Sequence, residues 1–247
     1  MIDLHSHILP GLDDGVRSLA EARELGRAAR AVGITAIAAT PHVRDDFPTT
    51  PDQMEAGVGD VRRELAEHGV GIEVLHGGEI ALDRLEALGA DDLARFSLGQ
   101  SGRYVLIEFP YFGWPLALEV GLRRLRGDGF TGVLGHPERN PEVQESPARL
   151  ERAVATGALV QITARSLAGS FGRGSRRAAR RLLDLGLVHL LASDAHGAGS
   201  PLLSVEQAAK ATGDRGLARY LTIEAPAAVA AGEPVPLPTP RAGRRRG

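Results

Sequence analysis

The sequence predicts an α/β fold, a parallel barrel of seven strand–helix units, and three observations carry that reading. Short apolar stretches recur seven times along the chain. Helical patterns with clear end signals separate them, and alternation of strand and helix calls for a parallel sheet. No dinucleotide-binding glycine fingerprint is present to favour an open sheet. A length of 247 residues suits one barrel domain.

The elements follow in order. The first strand covers 2–4. Ser18 with Glu21 reads as a capping box, and Gly33 stops the helix it opens. The second strand covers 36–40. Thr50, Pro51 and Gln53 open the next helix, which Gly69 closes. Strands follow at 72–75, 104–108 and 132–134. Ser146-Pro147 opens a helix ending near Gly157, ahead of a strand at 159–163. A helix over 176–185 stops at Gly186, before the seventh strand at 188–192. Ser204 with Gln207 starts the last clear helix, and alanine-rich 227–231 is expected to form one more short helix. Beyond Pro226 the composition changes. Pro234, Pro236, Pro238 and Pro240 alternate with other residues, then Arg241 and Arg244 to Arg246 finish the chain. The expected organisation is one domain over 1–232 and a disordered Pro/Arg-rich tail over 233–247.

Composition narrows the chemistry. There is no cysteine, which removes zinc–thiolate sites and a cysteine nucleophile. Net charge is −2, aromatics are 4%, and no basic stripe stands out, so nucleic acid is not an expected partner. No apolar run is long enough to span a bilayer and no secretory signal opens the chain, so a cytoplasmic protein is expected.

Metal-capable side chains fall at the strand exits. His5 and His7 follow the first strand, His42 the second and Glu79 the third. Glu108 ends the fourth, His136 the fifth, and Asp194 with His196 the seventh. In a parallel barrel these exits share one rim, where such folds keep their active sites. Buried imidazoles and carboxylates crowded there would carry a large desolvation cost without cations. Asp13 and Asp14 are adjacent carboxylates, and spacing alone does not choose between them. His68 reads as exposed at a helix end, His189 as lying at the wrong end of its strand, and His76 as ambiguous. Phe109, Tyr111, Phe112 and Trp114 follow Glu108 as the main aromatic cluster, either packing the loop or walling the rim.

The motifs also carry a resemblance. The opening 1–15, with His5-Ser6-His7 and Asp13-Asp14-Gly15, resembles that of the metal-dependent tyrosine phosphatases of the PHP superfamily, capsule-biosynthesis (CpsB/CapC) type. Thr40-Pro41-His42, Gly78-Glu79-Ile80, Gly135-His136-Pro137-Glu138-Arg139 and Ser193-Asp194-Ala195-His196 are similar to later motifs of that family, in the same order. The segment 166–172 is similar to another. The resemblance implies a distorted TIM-like barrel (the PHP fold) with its active site at the C-terminal strand ends. It implies two or three ions: one on His5, His7, Glu79 and Asp194; one sharing Glu79 and adding Glu108 and His136; one on Asp14, His42 and His196. Manganese is the expected metal, with iron or zinc the other fits for such ligands. Hydrolysis of phosphotyrosine in a protein such as a bacterial tyrosine kinase is implied. A PHP phosphatase for a metabolite such as histidinol phosphate is the alternative, and a PHP nuclease stands further off. A homo-oligomer is left open.

Two arginines are the candidate phosphate clamps, because a guanidinium grips two oxygens at once. Arg139 belongs to the matched motif. Relatives often carry an arginine shortly after Ser-Asp-Ala-His, where this chain reads Gly197-Ala198-Gly199-Ser200-Pro201. Arg165, where relatives tend to have a small residue, is expected to supply that charge instead.

Overall fold

The computed structural model describes residues 1–200, 202 and 205–236. Its strands are β1 (Ile2–Ser6), β2 (Ala36–Ala39), β3 (His42–Arg44), β4 (Phe47–Pro48), β5 (Glu73–Leu75), β6 (Glu79–Ala81), β7 (Tyr104–Glu108), β8 (Thr131–Gly135), β9 (Leu159–Thr163) and β10 (Leu190–Ala192). Pairing is parallel throughout, apart from the short antiparallel β3–β4 hairpin. The α/β class with parallel strands is therefore as expected.

The strands do not form one closed sheet. They make two, ordered β1-β2-β5 and β10-β9-β8-β7-β6-β3-β4. The cause is local. Pro41 has no N–H to continue a ladder, so the second strand, expected over 36–40, ends at Ala39 as β2, and a separate strand, β3, starts at His42. The third, expected over 72–75, is β5, and a further strand, β6, begins after His76-Gly77-Gly78, where a Cβ at Gly78 would stand 2.6 Å from the Phe96 ring. β2 pairs with β1 and β5 with β2, whereas β3 pairs with β6 and β6 with β7. The Ser6–Ala195 bridge links β1 to the segment after β10. Two hydrogen bonds of 2.9 Å, Asp194 N–H to His5 O and His7 N–H to Ala195 O, hold that junction.

Helices cover the sheets. α1 (Leu19–Ala31) is capped by Ser18, which accepts from the Glu21 N–H at 3.2 Å. The Glu21 carboxylate reaches Arg17 N–H rather than Ser18 N–H, so the expected box is only half made. α2 (Pro51–Glu67) has the full Thr50/Gln53 box. α3 (Ala90–Phe96), α4 (Leu118–Gly127) and α5 (Pro141–Glu145) were not expected from the sequence, although α4 buries Leu118, Leu122 and Leu125 on one face. After a 3-10 turn at 147–150 come α6 (Glu151–Ala155), α7 (Ala164–Ala168) and α8 (Gly172–Leu185). α8 begins four residues before the expected 176. α9 (Val205–Thr212), α10 (Arg215–Arg219) and α11 (Ala225–Ala230) follow, with a π-helical turn at 220–224 between the last two. Ser204, Pro238, Pro240, Arg241 and Arg244 to Arg246 lie outside the described residues. Tyr104 donates to Glu233 O at 2.6 Å and Arg103 to Gly232 O at 3.0 Å, which ties the chain to the sheet through residue 233.

The core runs between sheets and helices, with Phe96, Ile37, Leu65, Met54, Leu106 and Ile107 fully buried. No helix among the described residues is long and apolar enough to cross a membrane. One expectation about the surface does not hold. α8 presents Arg173, Arg176, Arg177, Arg180 and Arg181 to solvent, so a basic stripe does exist. The sequence hides it because the five interleave with Ala178, Ala179, Leu182 and Leu183, which face the core.

His189 lies beside β9, where its Nδ1 accepts from Val160 N–H at 3.1 Å. Burial pushes its imidazole down to about 4. Once unfolded the ring protonates near pH 6.5. Stability from its neutral form is therefore present above pH 6.5 and drains away as pH falls towards 4. Between pH 7 and 5 that is worth about 2 kcal/mol. His189→Asn keeps an acceptor for Val160 without the titration. Urea unfolding at both pH values should show this variant losing about 2 kcal/mol less than the parent. Equal losses in both proteins would rule the account out.

Candidate metal centre

β1 delivers two imidazoles to one point. His5 Nε2 stands 3.4 Å from both Glu79 Oε2 and Asp194 Oδ1. His7 Nε2 stands 3.6 and 3.4 Å from the same two oxygens. The register explains the convergence. Glu79 opens β6 directly opposite His42 on β3, and the bridge at Ala195 draws Asp194 against His5. His5, His7 and Glu79 are fully buried.

The outer nitrogen of each ring is already engaged. His5 Nδ1 contacts Gln161 Oε1 at 2.9 Å and His7 Nδ1 contacts Asp13 Oδ2 at 2.7 Å. With Nδ1–H donating outward, each Nε2 lone pair faces inward, the tautomer a metal requires. Asp13 also accepts from Gly15 N–H and His42 N–H, at 2.9 and 3.1 Å. A Cβ at Gly15 would stand 2.3 Å from His7 O, so only glycine lets this loop press on β1.

The neighbouring carboxylate faces elsewhere. Asp14 Oδ1 lies 3.5 Å from His42 Nε2 and 3.4 Å from His196 Nε2. His196 Nδ1 is turned to Asp194 O at 3.0 Å, and its ring stacks on His7 with centroids 4.0 Å apart. His42 Nδ1 lies 2.9 Å from Glu79 Oε2 and 3.7 Å from Glu108 Oε2. His136 Nε2 lies 2.9 Å from Glu79 Oε1. All nine expected donors therefore gather in one connected cluster with Glu79 at its centre.

The donors fit bound cations. His5 Nε2, His7 Nε2, His42 Nδ1, His136 Nδ1 and Glu79 Oε2 are buried without a hydrogen-bond partner. Orphaned buried polar atoms are costly unless something compensates them. Separations near 3.4 Å are long for hydrogen bonds. They match two donors that share an ion at about 2.1 Å from each, since tetrahedral edges there run to roughly 3.4 Å.

Electrostatics agree. Burial alone would lower the His5 imidazole, but Glu79 and then Asp194 outweigh it and carry it to about 9. Burial would likewise raise Glu79, yet His5, His136 and His42 hold it well below the usual carboxylate range. Burial and then Glu79 push Glu108 up. Glu79 is thus held ionised at the centre of the cluster.

The backbone is unusual at two donors. His136 has φ 37° and Asp194 has φ 53°, both in the left-handed region. For residues with a Cβ this costs about 1–2 kcal/mol each.

Arg139 and Arg165 both reach the rim. Arg139 Nη1 donates to Asp194 Oδ2 at 2.9 Å. Its guanidinium sits over Phe171 at 4.0 Å and Tyr111 at 4.6 Å, and Arg165 sits over Phe171 at 4.4 Å. The aromatic cluster divides. Phe109 and Trp114 pack edge to face, with Phe109 buried. Tyr111 stacks on His136 at 5.4 Å, and Phe112 is 83% exposed. Beside Glu108, a cavity of about 620 Å³ is lined by Leu82, Leu85, Pro110, Pro115 and Val120.

Three residues escaped sequence reasoning. Arg44 pairs with Glu108 Oε1 at 2.9 Å. It lies two positions after His42 on β3, and residues i and i+2 share a strand face. Gln161 is polar within an otherwise apolar strand, which was a readable signal. Glu138 is buried and accepts from Thr163 N–H and Oγ1–H, at 2.9 and 3.0 Å.

Histidines and carboxylates gathered around shared points at parallel strand ends define the class: an α/β protein with a cluster of side chains that could hold metal ions. The chain belongs to the capsular polysaccharide synthesis family CpsB/CapC, whose model matches residues 1–226. It is 38% identical over 200 residues to the tyrosine-protein phosphatase YwqE of Bacillus subtilis, covering 79% of this chain and 77% of that one. It is 30% identical over 219 residues to the tyrosine-protein phosphatase CpsB of Streptococcus pneumoniae, covering 84% and 88%. A crystal structure from the work on those two, described as unique metal-dependent tyrosine phosphatases, superposes with a TM-score of 0.84. There the identity is 33%, over 98% of this chain and 100% of the other.

Proposed function

We propose that the chain is a metal-dependent protein tyrosine phosphatase, a phosphoric monoester hydrolase. The observation that carries this is the buried, partnerless donor set around Glu79, with two guanidiniums on its rim. We assign one ion to His5, His7, Glu79 and Asp194. A second shares Glu79 and adds Glu108 and His136, and a third takes Asp14, His42 and His196. Manganese is our choice, on family resemblance. Divalent ions in such a site supply Lewis acidity towards phosphate and an acidified water. The chain's own residues do the rest. Arg139 and Arg165 orient the phosphate, with Phe171 between them fixing both forks. Asp13 and Gln161 keep the His7 and His5 rings in register. The Tyr111 face and the apolar cavity beside Glu108 suit an aromatic leaving group.

The substrate we infer is a phosphotyrosine protein such as a bacterial tyrosine kinase, met in the cytoplasm. The two sheets are read as arcs of one distorted seven-unit barrel. The catalytic unit is taken as 1–232, with 233–247 a tail. Phosphotyrosine peptide, histidinol phosphate and single-stranded DNA, each with manganese and with chelator, test the reading. Metal-dependent turnover of the peptide above the other two is expected. Preference for histidinol phosphate or DNA would overturn it.

Arg165→Ala should lower kcat/KM roughly ten- to a hundredfold at normal metal content, as expected for a lost charge-assisted contact of about 1.5–3 kcal/mol. Arg165→Lys should recover only part, because an ammonium lacks the planar fork. Parental kinetics for Arg165→Ala on every phosphoester tried would remove Arg165 from the site.

A further inference from the structure

Many arginines of the chain are ion-paired, whereas those of α8 are not. Arg23 meets Glu64, Arg44 meets Glu108, Arg95 meets Glu55, Arg139 meets Asp194 and Arg152 meets Glu119. Arg173, Arg176, Arg177, Arg180 and Arg181 are all exposed, and among the described residues none has an ion-pair partner. Their spacing sets like charges three and four residues apart, which destabilises a helix. No acidic residue occupies the first turn of α8, where the helix dipole favours one and Arg173 stands instead. The helix thus holds an arrangement that an external polyanion would relieve.

The stripe is continuous with the site. Phe171, the residue that caps α8, carries the guanidiniums of Arg139 and Arg165. Gln144 Nε2 binds both Arg139 O and Ser175 Oγ at 3.2 Å, locking the first turn to the backbone of Arg139. From that end α8 runs for 14 residues, about 20 Å. An extended peptide covers that distance in about six residues.

Resting on the phosphatase reading, we propose that the α8 arginines bind an acidic segment flanking the phosphotyrosine of the substrate protein. The exposed face of α8 offers no aromatic ring for stacking bases and no apolar side chain to enter a bilayer. A carboxylate-rich peptide is the polyanion that needs neither.

The test uses the full chain with manganese. Its substrates are free phosphotyrosine and phosphotyrosine peptides flanked by six glutamates, six glutamines or six lysines. The glutamate peptide should exceed the glutamine peptide about tenfold in kcat/KM, and the lysine peptide should fall below both. The preference should fade with salt. In the double variant Arg177→Gln/Arg181→Gln the glutamate-to-glutamine ratio should drop towards one. Hydrolysis of free phosphotyrosine with no preference for glutamate overturns this inference alone. Failure to hydrolyse any phosphotyrosine compound removes the phosphatase reading, and this proposal with it. Loss of phosphatidylserine-vesicle or single-stranded DNA binding in the double variant, without a peptide preference, would assign the stripe to those surfaces and refute the proposal.

Discussion

Glu79→Ala should lower kcat/KM at least about a thousandfold, or about 4 kcal/mol of transition-state stabilisation. It should also strip more than one ion from each chain. Both carboxylate oxygens are in use. Oε2 lies 3.4, 3.6 and 2.9 Å from nitrogens of His5, His7 and His42, and Oε1 lies 2.9 Å from His136. Among the described residues no other side chain touches four imidazoles, so its loss disturbs the whole cluster. Glu79→Gln separates charge from space, because it keeps the volume and one oxygen while halving the donor set. Elemental analysis against protein concentration checks the stoichiometry. A parental metal content in Glu79→Ala would refute the bridging role.

Metal removal should be as severe. Chelation followed by dialysis should abolish hydrolysis, and manganese should restore it, while iodoacetamide does nothing to a chain without cysteine. Stability should follow, because a ligand at 100 times its Kd contributes about 2.7 kcal/mol. At this chain length that corresponds to a Tm lower by roughly 5–11 °C in the stripped protein. Full activity after exhaustive chelation would end the mechanism. An unchanged Tm would mean that the cluster is balanced without ions.

The donors were legible because they sit immediately after apolar runs, and strand exits in a parallel fold point to one end. The extra strands β3 and β6 were harder to read. Pro41 and Gly77-Gly78 were visible, but only pairing in space reveals that the segments on either side of them join different sheets. Adjacent Asp13 and Asp14 could not be told apart by spacing. The geometry gives Asp13 to the outer nitrogen of His7 and turns Asp14 towards His42 and His196. Arg44 was missed because its partner, Glu108, lies 64 residues away. α4 was missed because Gly121 and a run of arginines masked its leucine face.

The left-handed backbone at His136 and Asp194 sets two selective pressures against each other. Glycine adopts that conformation freely, so replacing either residue by glycine would relax the main chain while deleting a side chain of the proposed metal site. A library of variants sorted only by heat resistance without metal would therefore drift towards glycine at these two positions and discard the site as it improved. Sorting with manganese present would hold both residues in place. On the proposed ligand assignment, the ion rather than the fold would preserve the sequence at these positions.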